Sequence, residues 1–224
     1  WFLLATFAND SIKGLITVAA LRHFLKNPFR FETVRDFAFY CLFAVLLVPI
    51  GSAFGGAAAR HFLGYDFWPT WEQWFLGDAL AHVVVTPFIF YWVLGTPWNA
   101  PARFATRWVE GALLTAGLIA TAYVAFNTDA GSVSFAEPRF YAPVPFLFWA
   151  AIRFGLPGAS RAILTVSAFA VYATVSGSGP FVHETLGQSL LAVQTFLAVA
   201  AVTTLVLGAI VSDRAEAIRR REDF

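Results

Sequence analysis

The strongest constraint on this chain is a series of apolar runs that are too long for a soluble domain. A helix rises 1.5 Å per residue, so about 20 apolar residues cross the roughly 30 Å of hydrocarbon in a bilayer. Residues 141–154 are apolar and aromatic but shorter, so they either cross a locally thinned bilayer or form a re-entrant pair with the next helix. The sequence therefore predicts an all-α fold, a polytopic transmembrane bundle of about seven helices. The other predicted helices lie at residues 2–25, 34–59, 75–94, 109–126, 163–177 and 186–211.

Composition supports this class and excludes others. The chain is 58% hydrophobic and 13% charged, whereas about one quarter of the residues in a soluble domain are charged. A net charge of +1 argues against nucleic acid as a partner, and the single Cys41 cannot form an internal disulfide. We therefore expect an integral membrane protein whose first partner is the lipid bilayer.

The basic residues predict the orientation, because short cytoplasmic loops are enriched in Lys and Arg. If seven helices cross the membrane, the connections on one side of it and the C-terminal tail together hold twelve of the fifteen basic residues. That side, with the C-terminus, is therefore predicted to be cytoplasmic. Residues 68–77 then face the periplasm and Trp1 lies outside. If the natural N-terminus is cytoplasmic, an odd number of helices, most simply one, is missing before Trp1. The twelve residues are Arg22, Lys26, Arg30, Arg35, Arg103, Arg107, Arg153, Arg161, Arg214, Arg219, Arg220 and Arg221.

An ionisable pair follows a tryptophan-rich edge in residues 68–87, which read WPTWEQWFLGDALAHVVVTP. Asp78 and His82 are four residues apart, on one face of a helix expected to begin near Phe75. Charges at lipid depth are rare and usually face a bundle interior or a water-filled cavity. Three roles stay open: Asp78 complements the helix dipole, the pair binds a ligand or couples to a signal, or the pair ligates a metal with further side chains.

A second polar group lies in the first helix, where Asn9 is followed by Asp10 and Lys13 at i,i+3. This spacing predicts an ion pair, which lowers the cost of burying either charge. The pair is expected in the outer half of the membrane, on the same side as Asp78. We therefore predict one outward-facing ligand or signal pocket, composed of Asp78, His82, Trp71, Trp74, Asp10 and Lys13.

The C-terminal region is predicted to be a helix that leaves the membrane. Residues 1–212 are expected to form the membrane domain, and residues 213–224 the start of a cytoplasmic signalling helix. This segment is either a basic tail that anchors to anionic lipid or a rod that carries a conformational change. Arg153, Asp213 and Arg214 are the candidate coupling residues, although Arg153 can also be a snorkelling cation at a helix end.

The remaining features are structural. The second helix has two pairs of small residues four positions apart, Gly51 with Gly55 and Ser52 with Gly56, and this spacing permits close helix approach in lipid. Pro49 is expected to kink the same helix. No catalytic, phosphate-binding or zinc motif occurs in the sequence. We therefore predict no enzymatic activity within this chain, no cofactor and no metal.

The order and spacing of several motifs resemble the first class of membrane-associated sensor (MASE) domains, from about Phe2 to the end of the chain. The chain departs from the family pattern at Ala81 and His82. The matching residues are Trp71-x-x-Trp74-x-Leu76-Gly77-Asp78 with Pro87, then Pro145-x-Leu147-x-Trp149-Ala150-Ala151-x-Arg153-Phe154-Gly155-x-x-Gly158, then Gly177-x-Gly179-Pro180-Phe181 and a long last helix.

This resemblance implies a bacterial inner-membrane sensory input domain. Such domains precede histidine kinase, PAS or diguanylate cyclase modules, so any kinase or cyclase activity would lie outside these residues. The implied partner is a cytoplasmic output domain or a partner membrane protein, and a homodimer is expected by analogy with other signalling rods. It also implies structural roles for Gly77, Pro87, Trp149, Gly155, Gly179 and Pro180. The alternative is an accessory structural subunit of a respiratory or photosynthetic membrane assembly, without catalysis of its own.

Overall fold

The computed structural model describes residues 1–25, 33–94, 104–127 and 138–222, and all regular elements within them are helical. Each of the six main helices contains a segment long and apolar enough to span a membrane, which confirms the all-α transmembrane class. Lys26, Arg30, Arg103 and the last two residues of the predicted signalling helix lie outside the described residues. The helices are α1 (Phe2–Phe24), α2 (Val34–His61), α3 (Phe67–Leu94), α4 (Phe104–Phe126), α5 (Val144–Val175) and α6 (Leu186–Glu222).

Helix α2 changes type along its length. Its middle, Cys41–Leu47, is π-helical, and Pro49 follows directly at the start of the α-helical stretch Val48–His61. Proline has no N–H to donate, and its ring crowds the carbonyl one turn back, so the hydrogen-bond ladder before it shifts register. The disturbance predicted at Pro49 is therefore found in the two turns that precede it.

The chain divides into two compact units, Trp1–Val83 and Val84–Phe224, and the division falls within α3. In the first unit, α1 packs along α2 and buries only Thr17 among its residues. Most large apolar side chains of α1, including Leu4 and Phe7, are exposed, as expected for a helix that faces lipid. The core of this unit consists of Phe37, Tyr40, Ala44, Ala53, Ala57, Ala79 and Val83.

In the second unit, α5 reverses direction at Gly155, where φ is 63° and ψ is −153°. Phe140 and Phe181, which lie before and after α5, have ring centroids only 5.6 Å apart, although a straight helix of 32 residues would extend about 48 Å. The first arm (residues 144–154) and the second arm (residues 156–175) are therefore antiparallel. The second arm packs along α6 through Ala159, Ile163, Val166, Ala170, Val193, Leu197, Ala201 and Leu205.

The expected count of about seven helices is thus slightly too high. The runs predicted separately at 141–154 and 163–177 belong to one helical element, Val144–Val175. Its first arm of 11 residues extends only about 16 Å, roughly half of the hydrocarbon thickness. The two arms therefore form a re-entrant pair, which was one of the two alternatives that the sequence left open. Gly155, with its positive φ, makes the reversal between them.

Candidate functional site

The candidate site lies in the first unit, on the face of α3 that carries Asp78. Helix α3 begins at Phe67 rather than near Phe75, so Asp78 lies about three turns inside the helix. The influence of the helix dipole on a side chain is confined to the first turn. A role for Asp78 in complementing the helix N-terminus is therefore excluded, and its charge has another partner.

That partner is Lys13 of α1, which bridges two carboxylates. Its Nζ lies 2.8 Å from Oδ1 of Asp78 and 2.9 Å from Oδ1 of Asp10. The side chains of Lys13 and Asp78 are only 13% and 18% exposed, whereas that of Asp10 is 52% exposed. The predicted pair of Asp10 and Lys13 is confirmed, and the more deeply buried half of the cluster is the bond between α1 and α3.

Helix α2 completes the same network through Ser52, which is buried. Its hydroxyl donates to Oδ2 of Asp78 at 3.3 Å, and Nδ2 of Asn9 donates to both the carbonyl and the hydroxyl oxygen of Ser52 at 3.1 Å. A Cβ on Gly55 would lie within 3.1 Å of two atoms of the Asn9 amide. The small residues of α2 therefore allow α1 to approach closely enough for these bonds to form.

One ammonium and two carboxylates join α1 to α3, and the hydroxyl of Ser52 adds α2 to the network. Removing one partner of a buried pair leaves an uncompensated charge, which costs far more than the pair contributes to stability. A group that competes for either carboxylate or for the ammonium would therefore change the preferred position of α1 relative to α2 and α3. The three residues can hold the unit in one arrangement and release it when a charged ligand or a proton intervenes.

His82 lies one turn beyond Asp78 and is joined to α2 through its backbone. The hydroxyl of Tyr40 donates to the His82 carbonyl at 2.7 Å, and within the described part of the chain the imidazole makes no hydrogen bond. The spacing of four residues therefore places His82 beside the cluster without making it a member of the hydrogen-bonded network.

Trp71 and Trp74 continue the face of Asp78 toward the start of α3. Trp71 stacks on Phe75 with ring centroids 5.6 Å apart, and the indole of Trp74 covers Gly56, where a Cβ would lie within 2.8 Å of three ring atoms. Trp71 also contacts Phe54 of α2, with ring centroids 5.5 Å apart, so the two tryptophans pack α3 against α2 next to the cluster, and their part in a pocket stays a prediction.

Metal ligation by Asp78 and His82 requires further ligands. Among residues 1–25, 33–94, 104–127 and 138–222, no three His, Cys, Asp or Glu side chains come together in a way that could hold a metal ion. The ammonium and the two carboxylates of the cluster can form ion pairs and exchange protons, and the prediction that no cofactor is bound stays a prediction.

The predicted coupling residue Arg153 lies in the second unit, at the reversal of α5. Its Nε donates to both carboxylate oxygens of Glu110 on α4, at 2.7 and 2.8 Å, and Nε1 of Trp149 donates to the same carboxylate at 3.2 Å. Arg153 is therefore held by an acid and is not simply a snorkelling cation. Sequence reasoning did not select Glu110, although an acid in an apolar run is a signal that could have identified it.

The structure connects α6 to the same reversal through Ser212, the residue before Asp213. The backbone N–H of Leu156 donates to Oγ of Ser212 at 3.0 Å. Asp213 and Arg214, the predicted coupling residues, make no hydrogen bond or ion pair among the described residues. Ser212 was missed because only the charged residues of this segment were considered, whereas the small residues Gly208 and Ser212 at i,i+4 mark a close helix contact.

The predicted motif residues have clear positions. Gly179 has a φ of 88° and contacts the carbonyl of Phe126, and Pro180 beside it is buried. Gly77 and Pro87 both lie inside α3. Among the described residues of the second unit, the turn at 176–181 and the reversal at Gly155 are the two places where glycine with positive φ determines the path of the backbone.

A comparison with protein families finds a match over almost the whole chain. The model of the MASE1 family matches residues 3–215. None of the curated proteins and none of the solved structures matches the chain. The matched range includes the charged cluster of the first unit as well as the reversal of α5 and its contact with α6.

Proposed function

Since this match means that the chain belongs to the MASE1 family, whose members are membrane sensory domains of signalling proteins, we propose that it is the input domain of a bacterial histidine kinase or diguanylate cyclase. In this proposal a stimulus acts at the cluster of Asp10, Lys13 and Asp78, and α6 passes the change to a cytoplasmic output domain. The family is sensory and non-catalytic, which favours this function over that of an accessory subunit.

The observation that carries the proposal is the bridge from Lys13 to Asp78. Two nearly buried charges on different helices are joined directly, and a third, Asp10, is half exposed and open to a ligand. A small polar or charged molecule that binds Asp10 or Lys13 would compete with the bridge. The helices then settle in a second arrangement, which is the two-state behaviour that a sensor needs.

The output end is supported by the length and contacts of α6. The helix runs from Leu186 to Glu222 without interruption, and its 37 residues extend about 55 Å, well beyond the roughly 30 Å of hydrocarbon in a bilayer. Ser212 and Gly208 contact the reversal of α5, so a movement of this reversal acts directly on the part of α6 nearest the output domain. The predicted cytoplasmic C-terminus and a homodimer through this helix complete the proposal.

The test uses the full-length gene product in membranes and assays the output module that its reading frame encodes, as autophosphorylation or cyclic dinucleotide synthesis. Asp78→Asn and His82→Gln are expected to change the output several-fold while the inserted protein persists, and Asp66→Asn, an exposed acid outside the cluster, should leave it unchanged. The double variant Lys13→Met with Asp78→Asn removes both buried charges, so it should recover stability but not normal output.

Two results would contradict the proposal. One is a stop codon shortly after the codon for Phe224, which would favour an accessory subunit. The other is an unchanged output in Asp78→Asn, His82→Gln and the double variant, because the cluster would then be structural alone.

A further inference from the structure

The second unit contains an elongated cavity of about 1040 Å³. Its walls are the turn before α5, the first arm of α5, the segment after Gly179 and one face of α6 from Gln188 to Thr204. Sixteen helical steps along α6 correspond to about 24 Å, most of the hydrocarbon thickness of a bilayer. The cavity is thus a groove that runs along a membrane-spanning helix, and all of its described lining residues belong to the second unit.

An aromatic cluster centred on Phe196, midway along the part of α6 that lines the groove, forms one wall of the groove. The ring centroids of Phe140 and Phe181 lie 5.0 and 5.1 Å from that of Phe196, and Phe140 and Phe181 are buried. Further along, the wall consists of apolar residues such as Leu147 and Val199. This surface is suited to a long hydrocarbon chain, which gains by dispersion contacts with a preformed wall.

The imidazole, carboxylate and amide side chains among the described lining residues lie at one end of the groove, whereas three threonines lie farther along α6. His183, Glu184 and Gln188 form its mouth, and all three are exposed. The loop that carries His183 and Glu184 is anchored to α6, which carries Gln188, because the backbone N–H of His183 donates to Oγ of Ser189 at 2.8 Å. Farther along, the hydroxyl of Thr203 donates to the Val199 carbonyl of its own helix at 2.8 Å, so it adds little polarity to the wall.

We infer that this groove binds one zwitterionic phospholipid from the surrounding bilayer. The acyl chain lies along α6 from the aromatic wall toward Thr203, and the head group lies at the mouth. Glu184 is the sole carboxylate among the described lining residues, and it accepts hydrogen bonds from the ammonium group. The amide of Gln188 and the ring N–H of His183 are donors for the phosphate.

The groove is tested by photolabelling of the full-length protein in nanodiscs that contain phosphatidylethanolamine with a diazirine on its acyl chain. Labelled peptides are expected from the first arm of α5 and from α6 between Gln188 and Thr204. Val199→Trp fills the groove and should lower this labelling about tenfold. Val202→Trp is the matched control, since Val202 is an exposed valine on the same helix that does not line the groove.

The head group is tested by competition between phosphatidylethanolamine and phosphatidylglycerol for the same label. The wild-type protein should prefer the former, and Glu184→Gln should reduce that preference about fivefold, whereas Glu72→Gln should not. Equal labelling of Val199→Trp and wild type, or labels spread over all lipid-facing helices, would overturn the inference. Equal competition by the two lipids would overturn the assignment of the head group. Because the readout is binding, these outcomes are independent of the signalling proposal.

Discussion

The backbone N–H of Leu156 donates a 3.0 Å hydrogen bond to the side chain of Ser212, a residue 56 positions later in the chain. Leu156 begins the second arm of α5, where the reversal leaves its N–H without a partner in its own helix. Ser212, which belongs to α6, therefore caps the start of the second arm of α5. This bond ties the reversal of α5 to the region where α6 continues toward its C-terminal end.

Replacing Ser212 with alanine removes this cap. We expect Ser212→Ala to lower the free energy of unfolding by about 1 kcal/mol, seen as a shift of about 2–4 °C in the thermal midpoint of the purified protein. Thr115→Ala is the control, because its hydroxyl bonds only to the Gly111 carbonyl within α4. Equal midpoints for the two variants would show that the bond to Leu156 does not stabilise the reversal.

Gly155→Ala tests the reversal itself. The φ of 63° with ψ of −153° is a conformation available almost only to glycine, and a Cβ would lie 2.5 Å from Oγ of Ser212. We expect a loss of about 1–3 kcal/mol in stability, measured by unfolding in mixed micelles. Gly111→Ala should have little effect, because the nearest atom to its Cβ would be 3.9 Å away. A stable Gly155→Ala protein with unchanged output would contradict the role of this residue.

A double-mutant cycle tests the bridge between Lys13 and Asp78. Asp78→Asn leaves a largely buried ammonium with one exposed partner, and we expect a cost of about 3 kcal/mol in the free energy of unfolding. Asp10→Asn removes the half-exposed partner and should cost less than about 1 kcal/mol. Lys13→Met combined with Asp78→Asn should be more stable than either single variant. Strictly additive losses would show that the two side chains do not interact.

Substitutions at Gly56 and Gly51 test the packing of Trp74, because only Gly56 lies against the indole. Gly56→Ala places a methyl group within 2.8 Å of the indole, so Trp74 must shift, at a cost of about 1–3 kcal/mol. Gly51→Ala meets no atom within 4 Å and should be neutral or stabilising, because alanine favours the helix. Trp74 fluorescence and thermal unfolding measure both effects. An unperturbed Gly56→Ala variant would contradict the close contact.

Local patterns in the sequence predicted those interactions in which the two interacting residues are only a few positions apart in the chain. Long apolar runs predicted the membrane helices, because each helix satisfies its own backbone in lipid, and the i,i+3 spacing of Asp10 and Lys13 predicted their ion pair. The start of α3 was wrong by eight residues, since three tryptophans were interpreted as a membrane edge before the helix rather than as its first turns.

Only the tertiary structure decided which distant groups meet. The sequence by itself determined an all-helical membrane protein with sensor-family motifs, and it marked Asp78 as a charge in need of a partner. It grouped Lys13 with Asp78 in one pocket but did not predict their direct bond, and it did not identify Ser52 as a partner of Asp78 or Ser212 as the partner of Leu156. Such contacts depend on the distance and the register between two helices. Both are set by the glycines and other small side chains of the whole packing surface, and not by any single residue.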